Sequence, residues 1–471
     1  MSNVSELEFS KQLKKKETSI PGLAIFDLTV LGDNRGWFKE NWQREKMLAA
    51  GLPDFDPVQN NFSFNGKRGT LRGIHAEPWD KFISVGTGSF FGAWVDIRKD
   101  SPTYGKVFTA TIDPTKAIFV PAGVANSYLT LEDNVLYSYL VNDHWHPEAS
   151  YSFVNAADPA LAIDWPIPPE EWEMSDKDKN HPMLKDATPV KPKKTLVTGA
   201  NGQLGKALRK EFPDAEFVSR EELDISSSDL AGKRRWRDYG VIINAAAYTA
   251  VDQAETVEGR RDAWKVNAHA VSQLTKVAAE NNITLVHVSS DYVFDGTATV
   301  HDEKEDFTPL GIYGQTKAAG DAVVSTVPKH YILRTSWVVG DGNNFVRTMA
   351  SLADRDIKPS VVGDQYGRLT FTEDLAKGIR HLLKNASPFG TYNLSNDGDR
   401  SSWADIAKEV YANKGKSRDD VTPVTTAEYF KGKVDIAPRP LQSTLNLDKI
   451  KAAGFSPREW REALRNYLDN Q

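Results

Sequence analysis

Tyr313 and Lys317 lie four residues apart in a stretch that could carry out acid–base chemistry. Residues with this spacing share one face of a helix, so the lysine ammonium would lie beside the phenol. A tyrosine with its ordinary pKa of about 10 is a poor acid at neutral pH, and a neighbouring positive charge lowers that pKa. Ser290, at the end of a short apolar run, adds a hydroxyl that could hold a carbonyl oxygen. Together these residues predict general-acid catalysis at a carbonyl group.

A glycine-spaced turn lies upstream of these residues. Gly199, Gly202 and Gly205 follow the β-branched run 195–198 and precede a helical pattern. In a strand–turn–helix unit, such glycines let backbone N–H groups approach a pyrophosphate at the helix N-terminus. Asp224 follows at about the 20-residue distance expected of a ribose-binding carboxylate. The turn predicts dinucleotide binding, with an ordinary α/β turn as the alternative.

A separate set of residues in the first half could act on an anionic or enolising substrate. Arg72, His75 and Lys81 lie within ten positions of one another. Cationic side chains near a histidine can stabilise negative charge on such a substrate. A structural role on a strand is the alternative for this histidine.

The composition restricts the classes of protein to consider. The chain has 471 residues, which is more than one hydrophobic core usually serves, so we expect at least two domains. A net charge of −6 gives no indication of nucleic-acid binding. The sequence contains no cysteine, which excludes disulfides, thiolate metal sites and cysteine nucleophiles. We find neither a signal peptide nor a long apolar segment, and therefore predict a cytoplasmic protein without membrane association.

The elements that must position these residues differ between the two halves. Up to about residue 185, short apolar runs alternate with turn formers, which predicts antiparallel strands and one short helix at 42–50. A proline- and lysine-rich stretch follows, and we place a linker at 186–193. From residue 194 onward, strand and helix patterns alternate, which predicts a parallel sheet and a small lobe at the end. We expect a β domain at 1–185 and an α/β domain at 194–471.

The second half resembles the extended short-chain dehydrogenase/reductases, and within them the dTDP-4-dehydrorhamnose reductase family. The resemblance extends through residues 195–455. Its matched segments are residues 196–205, 243–252, 288–296, 313–317, 334–337 and 439–443. It implies a doubly wound Rossmann sheet and reduction of a C4 ketone by NADH or NADPH. Arg220 could meet a 2′-phosphate, or could be an ordinary surface residue, so both cofactors stay open.

The resemblance also implies roles for individual residues. Tyr313 would protonate the C4 oxygen, Lys317 would hold the nicotinamide ribose and tune Tyr313, and Ser290 would supply the hydroxyl of the triad. The implied cofactor contacts are Gly199, Gly202, Gln203, Leu204, Gly205, Asp224, Ile225, Ala245, Ala246, Ala247, Tyr313 and Lys317. The implied substrate contacts are Thr249, Val251, Tyr292 and Trp337, of which the two aromatic residues could instead belong to the core.

The first half resembles the dTDP-4-dehydrorhamnose 3,5-epimerase family, which are cupin-type jelly rolls that work without metal. The matched segments between residues 33 and 178 are 69–75, 95–98, 101–105, 158–159, 164–166 and 175–178. The resemblance implies His75 as the base, Asp178 as its orienting carboxylate and Tyr137 as the acid, with Lys81 and Arg72 stabilising the enolate. The implied nucleotide-sugar contacts are Arg35, Glu40, Gln59, Asn61 and Asn126.

Three features of this half leave alternatives open. Asn126 stands where members of the family carry a histidine, and an amide cannot carry a proton. Tyr139 lies two residues from Tyr137 on the same strand face and is a rival for the acid. His144 and His146 have a spacing that some metal cupins use, but the other ligands of such a site do not follow, so we predict no metal.

We therefore predict a bifunctional enzyme that epimerises dTDP-4-dehydro-6-deoxyglucose and then reduces its C4 ketone to give dTDP-L-rhamnose. One alternative is a reductase whose cupin domain only binds the nucleotide sugar, as Asn126 favours. Others are a reductase acting on a different 4-keto sugar nucleotide, and a cofactor-sensing regulator without turnover. The sequence does not separate dTDP from UDP sugars. We expect a homodimer formed through the first half and no nucleic-acid partner.

Overall fold

The computed structural model describes residues 10–147, 149, 151–434 and 436–470. The chain divides into two units, with the boundary between Lys193 and Lys194. Among the described residues, no helix is both long and apolar enough to cross a membrane. The large sheets of the two units differ in kind, antiparallel in the first unit and parallel in the second.

Short apolar runs become the strands of the N-terminal unit. These strands are β1 Lys14–Glu17, β2 Ala24–Asp27, β3 Val30–Asp33, β4 Gly36–Lys39, β5 Gln59–Asn65, β6 Leu71–Ala76, β7 Lys81–Thr87, β8 Phe90–Asp96, β9 Val107–Ile112, β10 Lys116–Val120, β11 Val124–Thr130, β12 Val135–Val141 and β13 Ser152–Phe153. Two short helices accompany them, α1 Arg44–Ala49 and α2 Asp176–Lys179.

These strands form two large antiparallel sheets and the hairpin β3–β4. One sheet has the order β1-β2-β10-β7-β12-β5 and the other has the order β13-β6-β11-β8-β9. Because side chains alternate along a strand, each sheet presents every second residue to the space between them. Ile83 and Val85 of β7 share one buried core with Phe90 and Trp94 of β8. The two sheets therefore face each other, and side chains from both line one interior.

The segment predicted as a linker is partly built into the N-terminal unit. Val190 is buried, its N–H donates to the Ile97 carbonyl at 2.8 Å, and its carbonyl accepts from the Lys99 N–H at 2.8 Å. Val190 belongs to a hydrophobic core packed against the five-stranded sheet. The part of segment 186–193 up to Val190 is therefore held against the first unit and is not a free tether.

Strands and helices alternate in the C-terminal unit, as its pattern predicts. The strands are β14 Lys194–Thr198, β15 Glu216–Val218, β16 Tyr239–Asn244, β17 Thr284–Ser290, β18 His330–Thr335, β19 Val338–Val339, β20 Ser360–Val362, β21 Tyr366–Gly367, β22 Thr370–Phe371, β23 Gly390–Asn393, β24 Ser401–Ser402 and β25 Thr422–Val424. The helices are α3 Gln203–Glu211, α4 Val257–Trp264, α5 Ala270–Glu280, α6 Ile312–Val324, α7 Phe345–Asp354, α8 Thr372–Lys384, α9 Trp403–Asn413, α10 Thr426–Tyr429, α11 Asp448–Ala452 and α12 Trp460–Asp469.

The central sheet of this unit has six parallel strands in the order β15-β14-β16-β17-β18-β23. Helices cover both faces: Leu274 of α5 packs in one core and Leu208 of α3 in another. A third core, among α7, α9 and α12, includes Trp460. The carboxyl ends of parallel strands meet at one edge, so the glycine turn after β14 and Ser290 at the end of β17 come to the same side of the sheet.

Candidate active sites

The first candidate site lies between the two sheets of the N-terminal unit. His75 of β6 donates from Nε2 to Asp178 Oδ1 at 3.0 Å, and Asp178 Oδ2 accepts from the Gly73 N–H at 3.2 Å. Burial alone would raise the pKa of Asp178, but the hydrogen bond and charge of His75 outweigh it, so this pKa is lowered. An ionised carboxylate only accepts hydrogen bonds, so the His75 proton that faces Asp178 lies on Nε2, and Nδ1 is the nitrogen left to act as a base. The pair predicted from the sequence is thus brought together.

Backbone geometry in β6 depends on Gly73. Its φ of +125° lies in a region that side-chain-bearing residues rarely adopt. A Cβ there would lie 2.7 Å from Ser127 Cβ on the neighbouring strand β11. This close approach holds β6 against β11, and in the register of the two strands Asn126 lies opposite His75.

His181 is a buried neighbour of this pair that the sequence analysis missed. Its Nε2 lies 3.5 Å from Asp178 Oδ1, and its ring stacks on Phe153 with centroids 4.7 Å apart. Burial, followed by the nearby charge of His75, lowers the pKa of His181, so this imidazole is neutral. The available signal was its position three residues after Asp178, just beyond the short helix α2.

Lys81 carries a buried positive charge into the same interior. Only 5 % of the residue is exposed, and Nζ lies 2.6 Å from Glu77 Oε1 and donates to Asn126 Oδ1 at 2.9 Å. Glu77 was also missed by the sequence analysis, although it precedes the lysine by four residues. A buried ammonium needs such partners, since an isolated charge in the interior is costly. Asn126 therefore orients the lysine, a role that an amide oxygen fulfils without carrying a proton.

Three tyrosine rings line the interior near Arg72. Tyr137 is almost fully buried and stacks on Tyr128, and burial raises its pKa well above the ordinary value. Tyr139 is less buried, and Lys81 Nζ lies 5.5 Å from its ring centroid. Arg72 Nε donates to Asn65 Oδ1 at 3.1 Å, and the same oxygen accepts from the Tyr128 hydroxyl at 3.3 Å. The choice of Tyr137 as the acid stays a prediction.

The predicted nucleotide contacts of this half are not all brought together. Gln59 Nε2 donates to Asn61 Oδ1 at 2.7 Å on β5, and Asn61 lies opposite Tyr139. Arg35 is exposed and forms an ion pair with Asp33 in the hairpin β3–β4. Glu40 is likewise paired within its own segment, at 2.8 Å from the Lys46 ammonium. The roles of Arg35 and Glu40 therefore stay predictions.

The second candidate site lies at the carboxyl edge of the parallel sheet. Gly199 has a φ of +72°, and a Cβ there would lie 2.7 Å from the carbonyl carbon of Ala245, just after β16. A Cβ on Gly205 would collide with the Gly199 carbonyl oxygen. Both glycines are thus required by close backbone approaches, which leave the turn open to a ligand. Gly202 precedes α3, whose first residues are Gln203 and Leu204.

The residues predicted to lie beside the adenosine part of the cofactor follow strand β15 in the chain. Asp224 Oδ1 accepts from the N–H and hydroxyl of Ser226, and these bonds lower the pKa of Asp224. Ile225 is buried in the core that includes Val218. Arg220 is exposed and its Nε lies 3.9 Å from Asp224 Oδ2. An arginine so placed lies beside the predicted ribose position.

The triad residues meet where β17 ends against α6. The Tyr313 phenol is hydrogen-bonded to Ser290, yet burial raises the pKa of Tyr313 to about 12. Lys317 Nζ donates to the Val288 carbonyl at 2.7 Å, and burial lowers the pKa of Lys317 to about 8. The prediction that Lys317 lowers the pKa of Tyr313 below its ordinary value is therefore wrong, because burial of the phenol outweighs the effects that lower this pKa.

A line of buried polar groups that the sequence analysis missed runs beneath this lysine. His287 of β17 is fully buried, with Nε2 3.4 Å from Lys317 Nζ and Nδ1 3.1 Å from Asn244 Nδ2. Burial, then the charge of Lys317, lowers the pKa of His287 well below the ordinary value. Farther along α6, Asp321 Oδ2 accepts from Arg334 Nε at 3.1 Å. These groups fix the surroundings of the lysine.

The predicted substrate contacts of the second half lie around the phenol and in the small lobe. Tyr292 is half-buried, with its ring centroid 5.4 Å from that of Tyr313. Thr249 and Val251 lie in the loop after β16. Trp337 has a φ of +46° and stacks on Trp403 with centroids 3.8 Å apart. Trp337 packs against the core of the small lobe, and its contact with substrate stays a prediction.

Comparisons with known proteins divide the chain at the same place. Residues 17–186 match the family model described as dTDP-4-dehydrorhamnose 3,5-epimerase, and residues 193–471 match the model described as RmlD substrate binding domain. The first half is similar to a protein of Streptococcus pyogenes serotype M6 named as an RmlC homolog, with 51 % identity over 198 residues, 40 % of this chain and 99 % of that protein.

The second half is similar to a dTDP-4-dehydrorhamnose reductase of Aggregatibacter actinomycetemcomitans, with 38 % identity over 292 residues, 58 % of this chain and 97 % of that protein. It is also similar to a solved structure of a dTDP-4-dehydrorhamnose reductase from Bacillus anthracis in complex with NADP. The TM-score is 0.53 with 33 % identity, covering 59 % of this chain and 99 % of that structure.

Proposed function

This chain belongs to the dTDP-4-dehydrorhamnose 3,5-epimerase family through its first half and to the dTDP-4-dehydrorhamnose reductase family through its second half, and from this premise we propose how it acts. Epimerase and reductase domains of the dTDP-rhamnose pathway are both present in one chain. The first would convert dTDP-4-dehydro-6-deoxyglucose to dTDP-4-dehydrorhamnose, and the second would reduce the C4 ketone to give dTDP-L-rhamnose. The observation that carries this proposal is that one chain holds both sets of catalytic groups. The first half has a histidine base with its carboxylate partner, His75 and Asp178, and the second half has the triad Ser290, Tyr313 and Lys317.

The proposed architecture combines a cupin-like jelly roll at 1–185, a connection at 186–193 that is anchored to the first unit at Val190, and a Rossmann domain at 194–471. A homodimer through the first half is supported by β5, an edge strand of the six-stranded sheet that exposes Phe62 and Phe64. Exposed aromatic side chains on a sheet edge favour pairing with another copy. Cytoplasmic location and a nucleotide-sugar substrate complete the proposal.

In the epimerase half, His75 Nδ1 would remove the proton from a carbon next to the C4 ketone. The electron pair then moves to the C4 oxygen, where Lys81 and Arg72 stabilise the enolate. Tyr137 would return a proton to the opposite face of the same carbon, which inverts it. Asp178 retains its negative charge and stabilises the imidazolium that forms.

In the reductase half, the residues present fit a dinucleotide, because Gly199 and Gly205 permit the close backbone approaches that shape the turn before α3. NADPH or NADH supplies the hydride for the C4 carbon when bound. Tyr313 would donate its proton to the C4 oxygen, and a phenol with a raised pKa is fully protonated at neutral pH for this step. Ser290 would hold the same oxygen, and Lys317 would hold the ribose. The relative in complex with NADP supports NADPH as the first cofactor to test.

A single experiment tests both halves in one chain. The purified protein is given dTDP-4-dehydro-6-deoxyglucose in D₂O, with and without NADPH. We expect deuterium at C3 and C5 in both cases, and dTDP-L-rhamnose only with NADPH. The variant Tyr313→Phe should still incorporate deuterium but should not oxidise NADPH. Normal NADPH oxidation by this variant would overturn the assignment of the acid.

The same experiment separates the second candidate function, a reductase whose cupin domain only binds the sugar. Asn126 favours this candidate because it replaces a proton-carrying residue of the family. In that case Tyr313→Phe protein would leave the sugar without deuterium, although NADPH oxidation by wild-type protein would proceed on pre-epimerised sugar. A parallel trial with UDP sugars would establish the nucleotide.

A further inference from the structure

His75, Asp178 and His181 form a cluster of three metal-ligating side chains. One ring nitrogen of each histidine and a carboxylate oxygen of Asp178 all lie within 4.8 Å of one another, and no other such group of three occurs among the described residues. We propose that these three atoms bind Zn²⁺, and that bound zinc switches off the epimerase base while the reductase half keeps working. The inhibitory part rests on the proposed epimerase function, whereas the binding part does not.

The geometry of the cluster suits a tetrahedral ion. Two imidazoles that share a tetrahedral Zn²⁺ at about 2.1 Å have ring centroids roughly 5 Å apart, and the centroids of His75 and His181 are 5.3 Å apart. Ligand atoms around such an ion lie about 3.3 Å from one another. Asp178 Oδ1 lies 3.0 Å from His75 Nε2 and 3.5 Å from His181 Nε2. Only small movements would place the three atoms at bonding distance.

His181 supplies an independent observation that points to a ligand. It is 7 % exposed, and neither ring nitrogen meets hydrogen-bond geometry among the described residues, although the Val154 backbone and Asp178 lie close by. A buried polar atom without a partner costs about 1–3 kcal/mol. The ring is held by stacking on Phe153, so its nitrogen is already directed toward the carboxylate. A metal bond at Nε2 would satisfy it.

Zinc at this position would block the base by changing the tautomer of His75. A neutral imidazole binds a metal through the nitrogen that lacks a proton. Coordination at Nε2 therefore displaces the hydrogen bond to Asp178 and moves the proton of His75 to Nδ1. A protonated Nδ1 cannot accept the proton of the sugar. Three protein ligands also leave a fourth position for water or a substrate oxygen.

The direct test uses Co²⁺, whose visible absorption reports tetrahedral coordination. Cobalt added to the intact metal-free chain should produce an intense visible band that zinc abolishes by competition. The band should be lost in His181→Asn and in His75→Asn, two variants that remove different ligands. His269→Asn, which changes an exposed histidine of the other unit, should behave as wild type. Absence of the band in wild-type protein, or its persistence in both ligand variants, would overturn the site.

The inhibitory consequence is measured as deuterium exchange into the sugar at increasing zinc concentration. Each protein is compared with its own metal-free exchange rate. His181→Asn should need at least about tenfold more zinc than wild type for half-inhibition, because even outer-sphere changes alter metal affinity about 10–100-fold. NADPH oxidation with pre-epimerised sugar should not respond to zinc in either protein. Equal zinc sensitivity of variant and wild type would refute inhibition at this site. A chain without any exchange would refute the proposed function but leave the cobalt result standing.

Discussion

The Tyr137 ring lies nearly parallel to the Tyr128 ring, with centroids 4.2 Å apart and planes inclined by 17°. The two rings come from different sheets, Tyr137 from β12 and Tyr128 from β11. Stacking across the interior holds the Tyr137 hydroxyl in a defined position, whereas Tyr139 on the same strand lies beside the Lys81 ammonium. The two tyrosines can therefore be distinguished by substitution.

Replacing Tyr137 with Phe should lower formation of epimerised sugar by about 10²–10⁴-fold, the usual contribution of a general acid. The ring and its stacking are retained, so the fold should be unchanged. His75 can still remove a proton and return a solvent deuteron to the same face, so some deuterium exchange should persist without inversion. Coupled NADPH oxidation measures the formation of epimerised sugar, and NMR measures the deuterium exchange. Tyr139→Phe is the matched control, and a larger loss in that variant would make Tyr139 the acid.

Replacing His75 with Asn should abolish deuterium incorporation, with a loss of about 10²–10⁴-fold. The amide keeps a polar group beside Asp178 but cannot take up a proton. Reduction of pre-epimerised 4-keto sugar should continue at the wild-type rate, because the triad in the second unit is unchanged. If the variant exchanged deuterium at the normal rate, another group would have to be the base.

NADPH binding should weaken as the pH rises through about 8. Burial lowers the pKa of Lys317 to about 8, so in the free protein its ammonium is present below this pH and is lost above it. If only the charged form holds the ribose, affinity should fall by up to about tenfold per pH unit above the pKa. Fluorescence titration between pH 6.5 and 9.5 measures this change. Lys317→Met should bind weakly with a flat profile, and a flat wild-type profile would contradict the role of the charge.

Replacing Asp321 with Ala should destabilise the second unit by about 3–5 kcal/mol, because it leaves Arg334 buried without its carboxylate. Asp341→Ala is a matched control: its partner Lys206 lies at the surface, where solvent screens the ion pair, so the loss of stability should be much smaller. The free energy of unfolding of the two variants is compared by urea titration, with the loss of NADPH binding as the probe of unfolding. Equal losses of unfolding free energy in the two variants would contradict a larger contribution from the buried pair.

Local spacing made some parts of both sites predictable. The pair Tyr313 and Lys317 lies on one helix, and the glycine turn lies between a strand and a helix that pattern alone identifies. The pairing of His75 with Asp178, more than 100 residues apart, came from the family resemblance. The alternation of short apolar runs with turn formers likewise predicted the antiparallel strands of the first unit.

Other features depend on which side chains the fold buries together, and spacing does not contain that information. Glu77 beside Lys81, His287 beside Lys317 and Asp321 beside Arg334 are compensations for buried charge that arise only once strands and helices are packed. The pKa of Tyr313 failed as a prediction for the same reason, because its burial is a property of the folded site. Val190 shows a related effect, since a polar, proline-rich stretch can still supply one buried residue.

The backbone at Gly73 limits how the first site can change. Arg72 and His75 stand on either side of a residue with a φ of +125° and with Ser127 where a Cβ would lie. A mutant library aimed at other sugars would yield few functional clones at this position, whatever the selection. Changes of specificity are more easily accommodated on β5, β7 and β12 across the interior than at Gly73 beside the base.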